Sequence, residues 1–346
     1  MFIVDDNFIG NRREALKLLP AVRTWNEAHG YPFNYFTEVS VNLADHENLL
    51  RELVAAKFHS VFIGIESPSA DSLVETKKLQ NVRGSLSLEE RVEAIERAGL
   101  IVQGGFIVGF DHDTEDIFDR QIHFISNLAI PNAMVGPLTA LPGTPLYKRM
   151  KEGGRLRESP DSDQEPTIAS GFTTNLIPVM PLKTLLKGHC KILTTLYTPR
   201  RYFQRTLDAF ARLPRPPSLR GKLQVFLEGC RVLFAANKTV AQEPEGVWQQ
   251  FVNFLLFCSR FFSPQIPAHF RWEALRFMRL MVLRRPERSP WVFRYAIMGY
   301  HCYKFTFNDV APSLSRYFDE LPESHADAAC GAPAGVTMTG SADGVQ

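Results

Sequence analysis

Five short apolar runs set apart by long, helix-patterned intervals constrain this chain more than any other feature of its sequence. Phe2 to Val4, Tyr35 to Val41, Val61 to Ile65, Ile101 to Val108 and Ala133 to Leu141 each read as a strand. Between them, Arg12 to Ala28, His46 to Ala56, Leu88 to Ala98 and Thr114 to Asn127 place apolar residues at helical spacing. Gly99 stands where a helix C-cap belongs, and Asp113-Thr114 fits the start of the fourth helix. Strands this far apart cannot be closed by tight turns. They pair in parallel through crossover helices, which predicts an α/β fold, either part of a (β/α) barrel or an open sheet.

The pattern changes after Gly153-Gly154. The polar, proline-containing stretch Glu158 to Pro166 reads as a linker, placed at residues 156–170. Beyond it Leu182 to Leu196, Tyr202 to Leu213, Lys222 to Ala236, Val247 to Phe262, Arg271 to Leu283 and Trp291 to Phe307 read as helices. Pro214, Pro216, Pro217, Pro264 and Pro286 fall between these stretches as helix stops. From about Glu323 periodicity vanishes, and residues 321–346 are expected to be a disordered tail. Charge divides the chain in the same place: residues 1–170 carry 17 basic and 25 acidic side chains, residues 171–320 carry 22 and 9. Two domains follow as an expectation, residues 1–155 and residues 171–320, the second helical, basic and rich in aromatics.

Cys190, Cys230, Cys258, Cys302 and Cys330 are scattered, with no CxxC or CxxxCxxC spacing, and read as reduced, mostly buried thiols. Met1-Phe2-Ile3-Val4 is too short for the apolar core of a signal peptide, and no run of about eighteen uncharged apolar residues exists. A cytoplasmic location is expected. The chain opens inside an apolar strand, and a bare hydrophobic edge invites aggregation, so further sequence upstream is expected as well.

In a parallel barrel the groups that act on ligands gather at the carboxyl ends of the strands. Those ends hold Asp5-Asp6-Asn7, Glu38 with Ser40, Glu66-Ser67-Pro68, Gly105 to Asp111, and Leu141 to Pro145. Polar residues after so many apolar strands point to a site for a polar ligand. Each piece has a plainer reading. Asp5-Asp6-Asn7 also fits a polar turn into the first helix, and Glu66 also fits a helix start capped through Ser67 or Ser69. Gly104-Gly105 and Gly109 do not form a dinucleotide fingerprint, because a strand lies between the glycines. They would let a ligand or another backbone come close.

Four strings, FIVDDNFIGN (2–11), VFIGIESPS (61–69), GGFIVGFDHDTEDIF (104–118) and ALPGTPLYKRM (140–150), resemble in order and spacing the barrel of cobalamin-binding radical S-adenosylmethionine enzymes. The basic helical segment resembles the carboxy-terminal extension of a branch that includes the hopanoid C-2 methylases, so the likeness covers roughly residues 1–310. The resemblance implies a partial barrel in which a [4Fe-4S] cluster binds and cleaves S-adenosylmethionine, with methylcobalamin delivering a methyl group to an unactivated carbon. By position it places Asp5, Asp6 and Asn7 at the methionyl amine, and Glu38 and Ser40 at the ribose or carboxylate. It places Gly105, Ile107 and Gly109, with Leu141 and Pro142, near the adenine, and Glu66 toward cofactor or substrate.

The departures from the family are as telling. Its first strand, its CxxxCxxC loop and its upstream cobalamin-binding domain have no counterpart here, so the cluster and cobalamin sites are not expected on this chain. The expectation is the carboxy-terminal part of such a methyltransferase, derived from or mis-started within a longer enzyme and inactive by itself; a complementing chain that carries the cluster loop is the partner such a piece would call for. The alternative is a non-catalytic paralogue or scaffold subunit. A third reading, a barrel enzyme without metal, would need an acid–base set such as His112 beside Asp111 and Asp113. For residues 182–307 the plain reading is a bundle with an aromatic core and a solvated arginine face. The sharper one is contact with an anionic membrane surface and a small-molecule or lipid-like substrate. No nucleic-acid recognition motif is present, so no such partner is expected.

Overall fold

The computed structural model describes residues 1–75, 86–157, 174–235 and 263–320. Five strands, β1 (Phe2–Ile3), β2 (Tyr35–Glu38), β3 (Phe58–Glu66), β4 (Ile101–Val108) and β5 (Ala133–Pro137), form one sheet. Every neighbouring pair is parallel, and the order in the sheet is the order in the chain. A doubly wound sheet reverses direction at a switch point; this one does not. The crossovers run through α1 (Arg12–Ala28), α2 (Glu47–Ala55), α4 (Leu88–Ala98) and α5 (Ile117–Asn127), with the short α3 (Ala70–Glu75) after β3.

Local chemistry explains the best-defined boundaries. Asn11 Oδ1 accepts from the Glu14 amide and starts α1. At α4 the Ser87 hydroxyl accepts from the Glu90 amide, and the Glu90 carboxylate accepts from the Ser87 amide, a reciprocal capping box. Gly99 ends α4 with φ +119°, which a residue carrying a Cβ adopts only at a cost. α5 differs from expectation. Its preceding Asp116 makes no side-chain cap, and Asp113 turns back to accept from the Gly109 and Phe110 amides.

Two strands end earlier than their apolar runs. β2 stops at Glu38 because Val41 and Leu43 are buried in a 3-10 turn, Val41–Asp45. β5 stops at Pro137, and the apolar Leu138 and Ala140 enter a small second core with Phe110, Met150 and Leu176. Burial, not strand pairing, made those residues apolar. Leu141 and Pro142 consequently lie in an exposed turn that leads into α6 (Pro145–Glu152), where the Thr144 hydroxyl caps the Tyr147 amide.

The basic half is helical: α7 (Leu182–Leu196), α8 (Pro199–Arg212), α9 (Leu219–Ala235), α10 (Ala268–Arg284), α11 (Val292–Lys304) and α12 (Ala311–Glu320). Pro286–Trp291 forms a 3-10 turn, and Phe305–Val310 a π turn that joins α11 to α12. The expected helix Val247 to Phe262, most of the expected linker and the expected tail lie outside the described residues. So do the side chains of Cys230, Cys258 and Cys330; Cys190 and Cys302 are free thiols and half-buried.

One hydrophobic core runs from the sheet into these helices. Val61, Ile63 and Ile65 on one face of β3 share it with Val92, Ile125, Leu186, Phe203, Phe270 and Phe277. Tyr197, Tyr202, Trp291 and Tyr295 are buried, as an aromatic core requires, whereas Trp272 and Phe226 stand exposed. The solvated arginine face needs correction, since Arg205 and Arg285 are buried. Arg205 donates to the Ile130, Pro131 and Leu196 carbonyls. Arg285 donates to the Phe210, Leu213 and Pro214 carbonyls and to Glu287. Segment ends leave carbonyls without backbone partners, and a guanidinium brings five donors to them.

The outer edge of β5 is closed by side chains of α7 and of the residue that follows it. The Tyr197 hydroxyl accepts from the Ala133 amide at 3.1 Å and donates to the Ala133 carbonyl at 2.6 Å. His189 Nε2 lies 2.9 Å from the Val135 carbonyl. A strand edge that would otherwise present free backbone groups is thus occupied.

Candidate functional site

One face of the sheet packs on the helices; the other is only partly covered. Successive residues of a strand point to opposite faces, and parallel partners in register share a face. The second face can therefore be read row by row. Glu38 pairs with Phe62, and Phe62 with Gln103. In the next row Gly64 pairs with Gly105, and Gly105 with Met134, which is 70% exposed. Ile107 pairs with Gly136 above them. Gly64, Gly105 and Gly136 on three adjacent strands contribute no side chain at the carboxyl half of the sheet, where the Phe62 ring lies over Gly105 and the space at Gly136 is open. A Cβ on Gly105 would meet the Phe62 ring at 3.0 Å, whereas a Cβ on Gly136 would meet nothing within 4 Å. A flat ligand can lie on such a floor.

Polar groups border it. After β1 the chain turns through Asp5, whose carboxylate accepts from the Asn7 amide at 2.8 Å. Asn7 Oδ1 then accepts from both the amide and the hydroxyl of Ser40, at 3.1 and 3.3 Å, and the Ser40 hydroxyl is 2.5 Å from Asn42 Oδ1. The Phe8 amide donates to the Glu38 carbonyl at 3.0 Å. Two expected clusters, Asp5-Asp6-Asn7 and Glu38 with Ser40, are in this way one structure. Asp5 and Asp6 are exposed; Asn7, Glu38 and Ser40 are half-exposed.

Glu66 ends β3 at a bulge, where the register slips between Gly64 and Glu66, and it has φ +70°. A non-glycine residue in the left-handed region costs about 1–2 kcal/mol, and such strain collects where a side chain is held for a task. Glu66→Gly is therefore expected to be about 1 kcal/mol more stable than Glu66→Ala, although both lack the carboxylate. Urea unfolding of the two variants decides it, and an Ala variant at least as stable as the Gly variant would remove the strain.

The loop after β4 is tied down by charge. Gly109 has φ +96°, and its amide donates to Asp113, which also accepts from Ser72 and is pushed above the usual carboxylate range by burial. Arg155 holds Asp111 by two hydrogen bonds of 2.7 Å, and those bonds keep the Asp111 carboxyl below its ordinary value. Glu75, nearly buried, meets His112 and Arg149, each at 3.2 Å, and the Asp111 amide at 3.0 Å. His112 thus does not form an acid–base set with Asp111 and Asp113. Both aspartates are committed to the loop.

Sheet register connects most of the expected residues. Glu38, Gly105 and Ile107 share the open face, while Asp5, Asp6, Asn7, Ser40, Glu66 and Gly109 lie in the loops and bends at its carboxyl edge. Leu141 and Pro142 do not lie at a strand end, for they follow β5 by several residues. Gly64, Gly136, Phe62 and Met134 belong to the open face and were missed. Their signal was glycine inside an apolar strand, at positions of matching parity.

Residues 144–310 match a family described as a domain of unknown function (DUF4070). An uncharacterized methyltransferase of Synechocystis is 39% identical over 216 residues, 62% of this chain and 39% of that protein. The hopanoid C-2 methylase of Rhodopseudomonas palustris is 36% identical over 156 residues, 45% of this chain and 29% of that protein. The bacteriochlorophyllide d C-8(2)-methyltransferase of Chlorobaculum tepidum is 24% identical over 170 residues, 47% of this chain and 38% of that protein. The chain spans well under half the length of these relatives.

Proposed function

We propose that the chain belongs to the family that its four strings resemble, with the hopanoid C-2 methylase among its relatives, and that it carries the S-adenosylmethionine-binding face of a carbon methyltransferase. The observation that carries this reading is the set of glycines on one face of three adjacent parallel strands, edged by Phe62 and by the Asn7–Ser40 link. On that floor the adenine lies against the backbone of Gly64, Gly105 and Gly136, with Ile107 and Gly109 at its border. Asp5, Asp6 and Asn7 accept from the methionyl ammonium, and Glu38 and Ser40 serve the ribose hydroxyls or the carboxylate. Glu66 faces cofactor or substrate. S-adenosylmethionine supplies a methyl group or, where a cluster reduces it, a carbon radical. The substrate class proposed is a small, lipid-like molecule with an unactivated carbon.

The residues of this chain do not fit a [4Fe-4S] cluster. Such a cluster is held by gathered thiolates, and Cys190, Cys230, Cys258, Cys302 and Cys330 are too widely spaced to supply a CxxxCxxC loop. Among the described residues no three His, Cys, Asp or Glu side chains stand together as metal ligands. No residue here is assigned to cobalamin either. Cluster and cobalamin are proposed to come from sequence outside these residues, in the same polypeptide or in a complementing chain.

Gly136→Val tests the floor directly. The added side chain enters open space and suits a strand, so thermal stability should hold or rise, while S-adenosylmethionine should no longer bind. Titration calorimetry on the full chain reads the difference. Saturable binding in the wild type, with at least a tenfold loss in the variant, is the expected result. Equal binding by both would place the ligand elsewhere, and no binding by the wild type would sink the reading. After anaerobic incubation with iron and sulfide the chain by itself should form no 5′-deoxyadenosine.

A further inference from the structure

The start of α9 shows an apolar stripe to solvent. Leu219, Leu223, Phe226 and Leu227 are 84%, 56%, 37% and 48% exposed, and they recur at the spacing of a single helix face. Nearby is a second exposed pair, Val282 and Leu283 at the end of α10, 54% and 66% exposed. The Arg215 guanidinium donates to the Arg284 carbonyl at 3.3 Å, so the approach to α9 is bonded to the end of α10. The described charged side chains beside the patch are basic. Arg215, Arg220, Lys222, Arg279 and Arg284 are all exposed, and neither 209–227 nor 274–286 contains an Asp or Glu.

We propose that this patch, apolar residues of α9 and of the α10 terminus within a ring of arginine and lysine, seats the protein on an anionic lipid surface. Aliphatic side chains enter the boundary between headgroups and acyl chains, and the cations meet the lipid phosphates. A second copy of the chain would bring like charge to like charge. Single-stranded nucleic acid is gripped by stacking aromatic rings, and this stripe is mainly leucine. No described helix is long and apolar enough to cross a membrane, so the contact lies at the surface. This inference is independent of the methyl-transfer reading, because the probe contains no cofactor or substrate.

Flotation of the full chain with vesicles tests it. The protein should rise with vesicles of phosphatidylcholine and phosphatidylglycerol, remain below with phosphatidylcholine alone, and dissociate as salt is raised. Leu219→Asn with Leu223→Asn should weaken binding about tenfold or more. Both side chains are exposed, so the melting temperature should not move. Arg220→Gln with Lys222→Gln should lower affinity about fivefold per charge removed, which keeps the test decisive should the leucine variant melt early. Recovery with neutral vesicles equal to that with anionic ones, or no effect of either pair of substitutions, would overturn the proposal. Binding to polyglutamate but not to vesicles would overturn it in favour of an acidic protein partner.

Discussion

Arg285→Met should lower the stability of the chain by about 3–5 kcal/mol, the usual cost of breaking a buried ion pair from one side. The Arg285 and Glu287 side chains are 2% and 4% exposed and 2.7 Å apart. The variant strands the Glu287 carboxylate and leaves the Phe210, Leu213 and Pro214 carbonyls without their donor. Against a typical stability of about 5–15 kcal/mol the loss is large enough to show as partial unfolding at growth temperature. Adding Glu287→Gln should recover part of it, since the uncompensated charge is gone. Urea midpoints for the two single variants and the double variant measure the coupling. A midpoint for Arg285→Met within error of the wild type would mean that the clamp contributes nothing.

Glu96 governs the pH dependence expected of the chain. Its side chain is 1% exposed on α4 and lies 3.0 Å from Arg212 of α8. Burial pushes its pKa up to about 7, and the bond and charge of Arg212 offset only part of that rise. An acid with a raised folded-state pKa holds its proton more tightly folded than unfolded. Its contribution to stability is therefore complete below about pH 4.5 and lost as pH climbs to 7 and above, at most roughly 3 kcal/mol. Glu96→Gln should match the wild type near pH 4.5 and exceed it by about 1–3 kcal/mol at pH 8. Other groups titrate in this window, so the difference between the two proteins is the quantity to follow. Parallel stability curves would show that Arg212 keeps Glu96 ionised throughout.

Elements whose limits are set by neighbours in sequence were legible from the sequence. α1 and α4 begin and end where expected because Asn11, Ser87, Glu90 and Gly99 act within a few residues of themselves. The ends of β2 and β5 were misplaced because Val41, Leu138 and Ala140 are apolar for packing against distant residues, which a run of letters does not distinguish from strand pairing. The same limit applies to the candidate site. Glu38, Gly105 and Ile107 could be found as strand residues, but the open face they share with Gly64, Met134 and Gly136 depends on register, a relation among strands far apart in the chain. Asp113, read as a helix start, serves the loop behind it, and Arg205 and Arg285, read as surface charges, serve carbonyls that only the fold brings near.

The closure of the β5 edge bears on how this protein can be divided. The matched family region begins at residue 144, after β5 and before α7. A cut there leaves Tyr197 and His189 in one piece, and the Ala133 and Val135 backbone groups they satisfy in the other. A border drawn by sequence similarity is in this instance no seam in the material. Fusion, exchange with a relative or expression of the helical half by itself would each part those side chains from the strand edge they close.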